Sequence, residues 1–416
     1  MIHLSWEFPP RKVGGLAAHV YDLSQALIKL GHNIYVITTD FPGTKEIEVV
    51  GGVNVQRYDS YSYPGPDFIT WAILMQQTMQ EKAAEVINEL YTSGQQVDLI
   101  HAHDWLSGLA AIELKHGFRL PLVTTIHSTE LGRRNGLHDD GQRMIHAIEK
   151  RLAFDSWRII ACSRYMADQI KYAYALSDDK IDVIPNGVYT KEFVGASNQS
   201  TIEFDLRRKF ATDQEKIVLY VGRMVPEKGV NVLVGSIPQV IASMPNAKFI
   251  FVGDGYYRAQ YMRIAYGLGV AHKCYFTGFL EDDRDVRKLF TLADICVFPS
   301  FYEPFGIVAL EAMAAGTPVI VSDIGGLSEI IDHGHTGLKV PVNNSNALAR
   351  AIISLLSDSG LASSLRKNAL EKVQKLYHWQ IIAKQTTRVY QRVVSEYQKN
   401  PWKPKAFDSP KMQLFG

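Results

Sequence analysis

The strongest chemical signal in the sequence is a pair of glutamates, Glu303 and Glu311, with seven residues between them in the run EPFGIVALE. An apolar strand-like run precedes it, and the residues after Gly306 read as the start of a helix. Glu303 then lies in the loop before the helix and Glu311 just over one turn in. A helix start offers free N–H groups to a phosphate. A carboxylate accepts two hydrogen bonds from a diol, so both glutamates suit sugar or ribose hydroxyls. The plainer reading of Glu311 is a solvated carboxylate on a helix face.

Three further groups sit at strand ends. Arg223 and Lys228, five residues apart directly after an apolar run, can converge on a diphosphate, one as a planar fork of donors and the other as a point charge. Fixed cations aimed at a leaving diphosphate stabilise the transition state, and one such donor is worth about 3 kcal/mol. The alternative is a solvated loop with Arg223 or Lys228 paired to Glu227. Gly14 and Gly15, between a strand-like run and a helical one, fit an anion cradle or a simple tight turn. His101, His103, Asp104 and Trp105 end one strand; His127 to Glu130 end another. Such histidines serve as hydrogen-bonded scaffolding, polar site groups or metal ligands, but no fixed tetrahedral spacing appears, so no metal is expected. Gly253-Asp254-Gly255 imitates a dinucleotide fingerprint that fails at Arg258, where the third glycine should stand.

These groups need a frame. Short continuous apolar runs at 33–38, 99–101, 122–126, 159–162 and 181–184, and again at 217–221, 248–252, 274–277, 295–299 and 319–322, read as buried parallel strands. Amphipathic stretches between them, such as 18–30, 72–90, 230–243 and 361–376, read as crossover helices. The small polar stretch 194–201 suits a linker. The expectation is an α/β protein of two doubly wound, Rossmann-like domains facing across a cleft. Residues 1–190 form the first, 191–378 the second, and a helix at about 379–400 is followed by a tail at 401–416. Ligands of such sheets bind at the carboxyl ends of the strands.

Bulk properties exclude several classes. The chain has 416 residues, 46% of them hydrophobic and 21% charged, which fits a soluble two-domain protein. Lys and Arg total 44 against 43 Asp and Glu, so there is no bulk attraction to nucleic acid or anionic membrane. Cys162, Cys274 and Cys296 give neither a disulfide framework nor a zinc motif. No stretch approaches the ~20 apolar residues of a membrane span, and no signal peptide is readable, so the cytoplasm is the expected compartment. A monomer and an oligomer both fit.

Together, residues 12–17, 101–105, 125–133, 185–187, 222–229, 253–255 and 300–311 resemble the retaining GT-B glycosyltransferases of family 4 and their glycogen and starch synthase relatives, over nearly the whole chain. The resemblance implies that Gly14 and Gly15 cradle donor phosphates, with Gly253, Asp254 and Gly306 also on the donor side. It implies that Arg223 and Lys228 neutralise the departing diphosphate, and that Glu303 contacts the donor sugar and Glu311 the ribose. Ile307 and Val308 would give backbone N–H groups to phosphate, and His127 would bond the sugar near the reacting carbon. His103, Asp104, Trp105 and Glu130 would border the acceptor side. The last helix would cross back to the first domain. The implied reaction moves a hexose from ADP- or UDP-glucose to an acceptor, in the family pattern an α-1,4-glucan, with retention and without metal or cofactor. A small-sugar or lipid-linked acceptor is the alternative. A nucleotide-sugar epimerase shares the fold but does not explain Glu303 and Glu311 beside Arg223 and Lys228. A noncatalytic sensor predicts lost site residues, whereas every motif position is filled.

Overall fold

Two sheets carry the chain, and each contains a point where the strand order reverses. A computed structural model describes residues 1–60, 65–190, 193 and 206–399. The first sheet comprises β1 (Ile2–Leu4), β2 (Tyr35–Thr39), β3 (Ile47–Val50), β4 (Val53–Tyr58), β5 (Ile100–His103), β6 (Leu122–Ile126), β7 (Arg158–Ala161) and β8 (Ile181–Val183). Their order is β3-β4-β2-β1-β5-β6-β7-β8, and every neighbour is parallel except the β3–β4 hairpin. The second sheet comprises β9 (Lys216–Val221), β10 (Ala247–Val252), β11 (Cys274–Gly278), β12 (Ile295–Phe298), β13 (Val319–Ser322) and β14 (Leu338–Val340). It runs β11-β10-β9-β12-β13-β14, all parallel.

Ten of the fourteen strands form where the continuous apolar runs predict them, because strands covered by helices on both faces have no polar side to show; β1, β3, β4 and β14 lie outside those runs. Ile217, Val218, Leu219 and Tyr220 on β9 are all at most 1% exposed. Order reverses beside β1 in the first sheet and beside β9 in the second. Loops leaving adjacent strands in opposite directions open a crevice there. The loops after β1 and β5, and after β9 and β12, therefore line the crevices.

The first strand, short and fully buried, ends at Leu4, and the chain then turns. The hairpin β3–β4 is reversed by Gly51 and Gly52, both at positive φ (58° and 87°), the conformation a two-residue turn between twisted strands requires.

The final helix, Trp379–Lys399, buries Trp379, Ile382, Ala383, Thr386, Val389, Tyr390 and Val393, a stripe at helical spacing. That stripe packs with Val20, Leu23 and Leu27 of the helix Gly15–Ile28 and with Val123 and Ile160 of the first sheet. Gly187 makes the seat: a Cβ there would stand 2.6 Å from the Trp379 ring. A second apolar cluster joins the halves, running from Ile126, Ala161 and Met166 to Phe305, Ala309 and Leu310. The linker stretch 194–201 and the tail 401–416 lie outside the described residues. Among the described residues, no helix is long and apolar enough to cross a membrane.

Candidate active site between the two sheets

The leading site residues sit in loops or helix starts at crevice strands, except His127, which follows β6, and Glu311, which lies one turn into its helix. After β1, the chain places Glu7 in a buried position. Its Oε2 accepts hydrogen bonds from the N–H of Val13 at 2.6 Å and of Gly14 at 3.2 Å. Burial raises the Glu7 carboxyl to about 7, partly offset by those two amides; the Asp104 charge raises it and the Arg223 charge lowers it. The glycine loop is thus ordered by an internal carboxylate, and the Gly14 N–H is spent on Glu7.

After β5, Asp104 adopts φ 58° and ψ 177°, a region that costs a non-glycine residue about 1–3 kcal/mol. The strained backbone turns its carboxylate toward the end of β6. There Oδ1 accepts the His127 N–H at 2.7 Å. Burial also raises the Asp104 carboxyl, to about 6. His127 faces His103, with 3.4 Å between His127 Nε2 and His103 Nδ1, and packs edge-on to His19, ring centroids 4.5 Å apart. Burial lowers His127 to about 3 and takes His103 and His19 well below the usual histidine range. All three rings are neutral at pH 7. His127 can therefore accept or donate a hydrogen bond without bringing a charge.

The second sheet contributes charges. Lys228 Nζ lies 2.6 Å from Glu303 Oε2, and Ser300 Oγ donates to the same oxygen at 3.2 Å. The Arg223 loop and the Glu303 loop are tied together, because Phe301 N–H donates to Glu227 O at 2.8 Å. Arg223 is half exposed and stands 3.7 Å from Glu227. Gly306, at φ 106°, precedes the helix Ile307–Ala314, whose start has no side-chain cap. Ile307 and Val308 are its first two residues, so their N–H groups have no partner within the helix. Glu311 is in its second turn and half-buried.

The two halves meet at helix starts. A Cβ on Gly15, the first residue of the helix Gly15–Ile28, would stand 2.9 Å from Ile307 Cδ1. The start of Gly15–Ile28 likewise has no side-chain cap. Lys12 pairs with Asp283 across the junction. The Glu303 loop is braced from the first half: Ser163 Oγ donates to Pro304 O at 2.6 Å, and Tyr302 OH to Gln169 Oε1 at 2.8 Å. Glu329 accepts the N–H groups of Arg164 and Tyr165, at 3.0 and 2.8 Å.

Other residues marked from the sequence have different surroundings. Gly253 sits where two loops touch; a Cβ would be 2.2 Å from Gly222 O. The Asp254 carboxylate caps the Gly255 N–H at 2.7 Å. Glu130 is buried and paired with Arg133 and Arg134, at 2.9 and 3.3 Å. Trp105 is 5% exposed and packs edge-on to Phe68, ring centroids 6.1 Å apart. His103 is fully buried under His127. His101 is scaffolding, with Nδ1 at 2.6 Å from Tyr390 OH and Nε2 at 2.7 Å from Thr125 Oγ1. Sequence reasoning passed over Glu7 and His19, and marked Asn186 within the stretch 185–187 without giving it a role. Each had a signal: a carboxylate between Trp6 and Phe8, a histidine on the apolar stripe of a helix, and an asparagine just before the glycine that seats Trp379.

Known proteins share this arrangement. Residues 13–192 match glycosyltransferase family 4, and residues 202–372 match the glycosyl transferases group 1 family. The chain is 40% identical over 389 residues to an uncharacterised glycosyltransferase of Methanocaldococcus jannaschii, covering 93% of this chain and 96% of the relative. It is 34% identical over 401 residues to a protein named glycogen synthase from Mycobacterium tuberculosis, covering 94% of each. Among solved structures, a sucrose-phosphate synthase of Thermosynechococcus elongatus superposes with a TM-score of 0.79 at 28% identity, covering 95% of this chain and 99% of that one. With two facing Rossmann-like sheets and full-length relatives of this kind, the chain belongs to the GT-B glycosyltransferases of family 4.

Proposed function

We propose that the protein moves glucose from ADP- or UDP-glucose to an α-1,4-glucan, with retention at the anomeric carbon. One observation carries the reading: uncapped helix starts from both halves meet at Gly15 and Ile307, with Lys228 and Glu303 paired in the adjoining loop. A pyrophosphate is the group such a junction suits, since it takes N–H donors and cations together. In this reading Arg223 and Lys228 neutralise the leaving diphosphate. The N–H groups of Ile307 and Val308, with that of Gly15, hold its oxygens. Gly14 serves by its fold, its N–H being held by Glu7. Glu303 orients the donor sugar and Glu311 the ribose. His127, neutral and seated by Asp104, bonds a sugar hydroxyl near the reacting carbon. The acceptor attacks from the face the diphosphate leaves, and a phosphate oxygen takes its proton. Closure of the halves excludes water from this step.

The glucan acceptor is supported by the full-length relative named glycogen synthase. A second reading, transfer to a small polar acceptor, is favoured by the 27% identical relative from Kribbella flavida named D-inositol 3-phosphate glycosyltransferase and by the likeness to a sucrose-phosphate synthase. Release of nucleoside diphosphate, measured with each donor against glycogen, maltooligosaccharide, inositol phosphate and fructose phosphate, separates them. Release that requires a glucan supports the first reading. Release that requires a phosphorylated small acceptor replaces it with the second. Full release without acceptor overturns transfer.

A further inference from the structure

The histidines beneath the cleft offer more nitrogen than the fold uses. His19 is 5% exposed, and apart from its neighbour Asn186 no group among the described residues meets its ring nitrogens. His103 is fully buried, and its Nε2 is also unpartnered there. Leaving such atoms unpaired in a dry interior costs about 1–3 kcal/mol each.

His19, His103 and His127 each offer a nitrogen within 4.8 Å of the other two. The 3.4 Å between His103 Nδ1 and His127 Nε2 is long for a hydrogen bond. It matches the nitrogen spacing of about 3.3 Å that follows from tetrahedral coordination at metal–nitrogen distances of about 2.0–2.1 Å. His3, His101 and His103 form a similar triplet. There, however, both nitrogens of His101 are committed to Tyr390 and Thr125. The first triplet has an outlet: His127 is half-buried and borders the cleft, which leaves a fourth position open, and His19 brings a ring nitrogen that nothing but Asn186 meets among the described residues. Asn186, buried with its Oδ1 unpartnered, adjoins His19 and can accept the proton on the nitrogen that His19 turns away from a metal. Imidazole sites of this kind favour Zn²⁺, Co²⁺, Ni²⁺ or Cu²⁺ over Mg²⁺ and Ca²⁺, which prefer oxygen.

We propose that His19, His103 and His127 form a binding site for a transition-metal dication at the base of the cleft, and that an ion there competes with the donor. The competition rests on the role given to His127 above; the binding does not. In the proposed reaction Arg223 and Lys228 meet the diphosphate, so an ion held on His127 is inhibitory.

The experiment is a Co²⁺ titration of the chelator-treated full chain, read by visible absorption and isothermal calorimetry. The expected result is one equivalent bound, with a low-coordinate ligand-field band displaced by Zn²⁺ and unaffected by excess Mg²⁺. His19→Gln and His127→Gln, each checked for native circular dichroism, both lose the band. If His19→Gln does not fold, His127→Gln decides. Absence of a band in the wild type, or its survival in folded variants, overturns the site. Zn²⁺ is further expected to raise the apparent KM for the donor. Stoichiometric binding with unchanged donor kinetics overturns the competition and counts against His127 as a donor contact, while leaving the metal site standing.

Discussion

The two halves bring opposite kinds of group to their junction. The first sheet supplies buried groups kept neutral or costly to ionise: Glu7 raised to about 7, Asp104 to about 6, and histidines lowered far from their usual range. The second supplies charges already satisfied, with Lys228 on Glu303 and Arg223 near Glu227. The lesson is one of division. In the proposed reaction, the groups that shape the site for an uncharged sugar sit in the buried half, and the groups that meet a multiply charged phosphate sit in loops where burial costs less. Breaking the second half should therefore act on turnover, and breaking the first should act on turnover at His127 and on stability and its pH dependence at Glu7.

The largest effect is expected in the charged half. On the proposed mechanism, Lys228→Ala removes a cation from the departing diphosphate, and it leaves the nearly buried Glu303 without its main partner. Loss of about 3 kcal/mol of transition-state stabilisation corresponds to a fall in kcat/KM of about 100-fold or more. Steady-state transfer by a variant with native circular dichroism checks this, and unchanged turnover would remove Lys228 from the mechanism.

Next comes Glu7→Gln, in the neutral half. The folded carboxyl is raised to about 7 against an ordinary value of 4.5. The folded state therefore holds a proton that the unfolded chain has released, and the chain loses stability as pH rises from about 4.5 to 7. The full shift corresponds to about 3 kcal/mol at most. Glu7→Gln should show a smaller fall in Tm than the wild type between pH 5 and 7.5. Parallel Tm profiles would contradict the assignment.

Gly187→Ala is expected to cost about 1–3 kcal/mol, because its methyl would overlap the Trp379 ring and push the final helix off the first sheet. Thermal unfolding measures it; a Tm equal to the wild type would mean that the seat is not tight.

The smallest effect is that of His127→Asn on acid stability. His127, lowered to about 3, stays neutral in the folded chain while the unfolded chain takes up a proton below pH 6.5. That stability is present above about 6.5 and is lost as pH falls toward 3. Near pH 5.5 the loss is about 1 kcal/mol. The variant should lose less Tm than the wild type between pH 7 and 5.5, and an equal loss would contradict the burial argument.

Much of this was readable in the sequence, and the exceptions have physical reasons. Central strands such as β9 and β12 were plain because burial on both faces leaves an uninterrupted apolar run. The β3–β4 hairpin was passed over although Glu46–Gln56 alternates around Gly51-Gly52, since alternation marks a half-exposed edge and not a buried strand. The placement of Glu303 before a helix starting after Gly306 was legible because glycine and apolar spacing mark a helix start locally. Glu7 and His19 were not, because what makes them unusual is contact between distant segments. Glu7 gains its character from Val13, Gly14 and Asp104, and His19 from His103 and His127. Burial of a polar group against a remote partner leaves no mark in local spacing.

The central claim is that both halves act on one donor. The most direct test is hexose transfer by two folded variants, His127→Ala from the first half and Glu303→Gln from the second, each measured against the wild type by release of nucleoside diphosphate in the presence of acceptor. The account predicts that each lowers turnover by about 100-fold, the scale of one lost transition-state contact, with circular dichroism and Tm near the wild type. Wild-type turnover in either variant would show that one half acts alone and would contradict a site shared across the cleft.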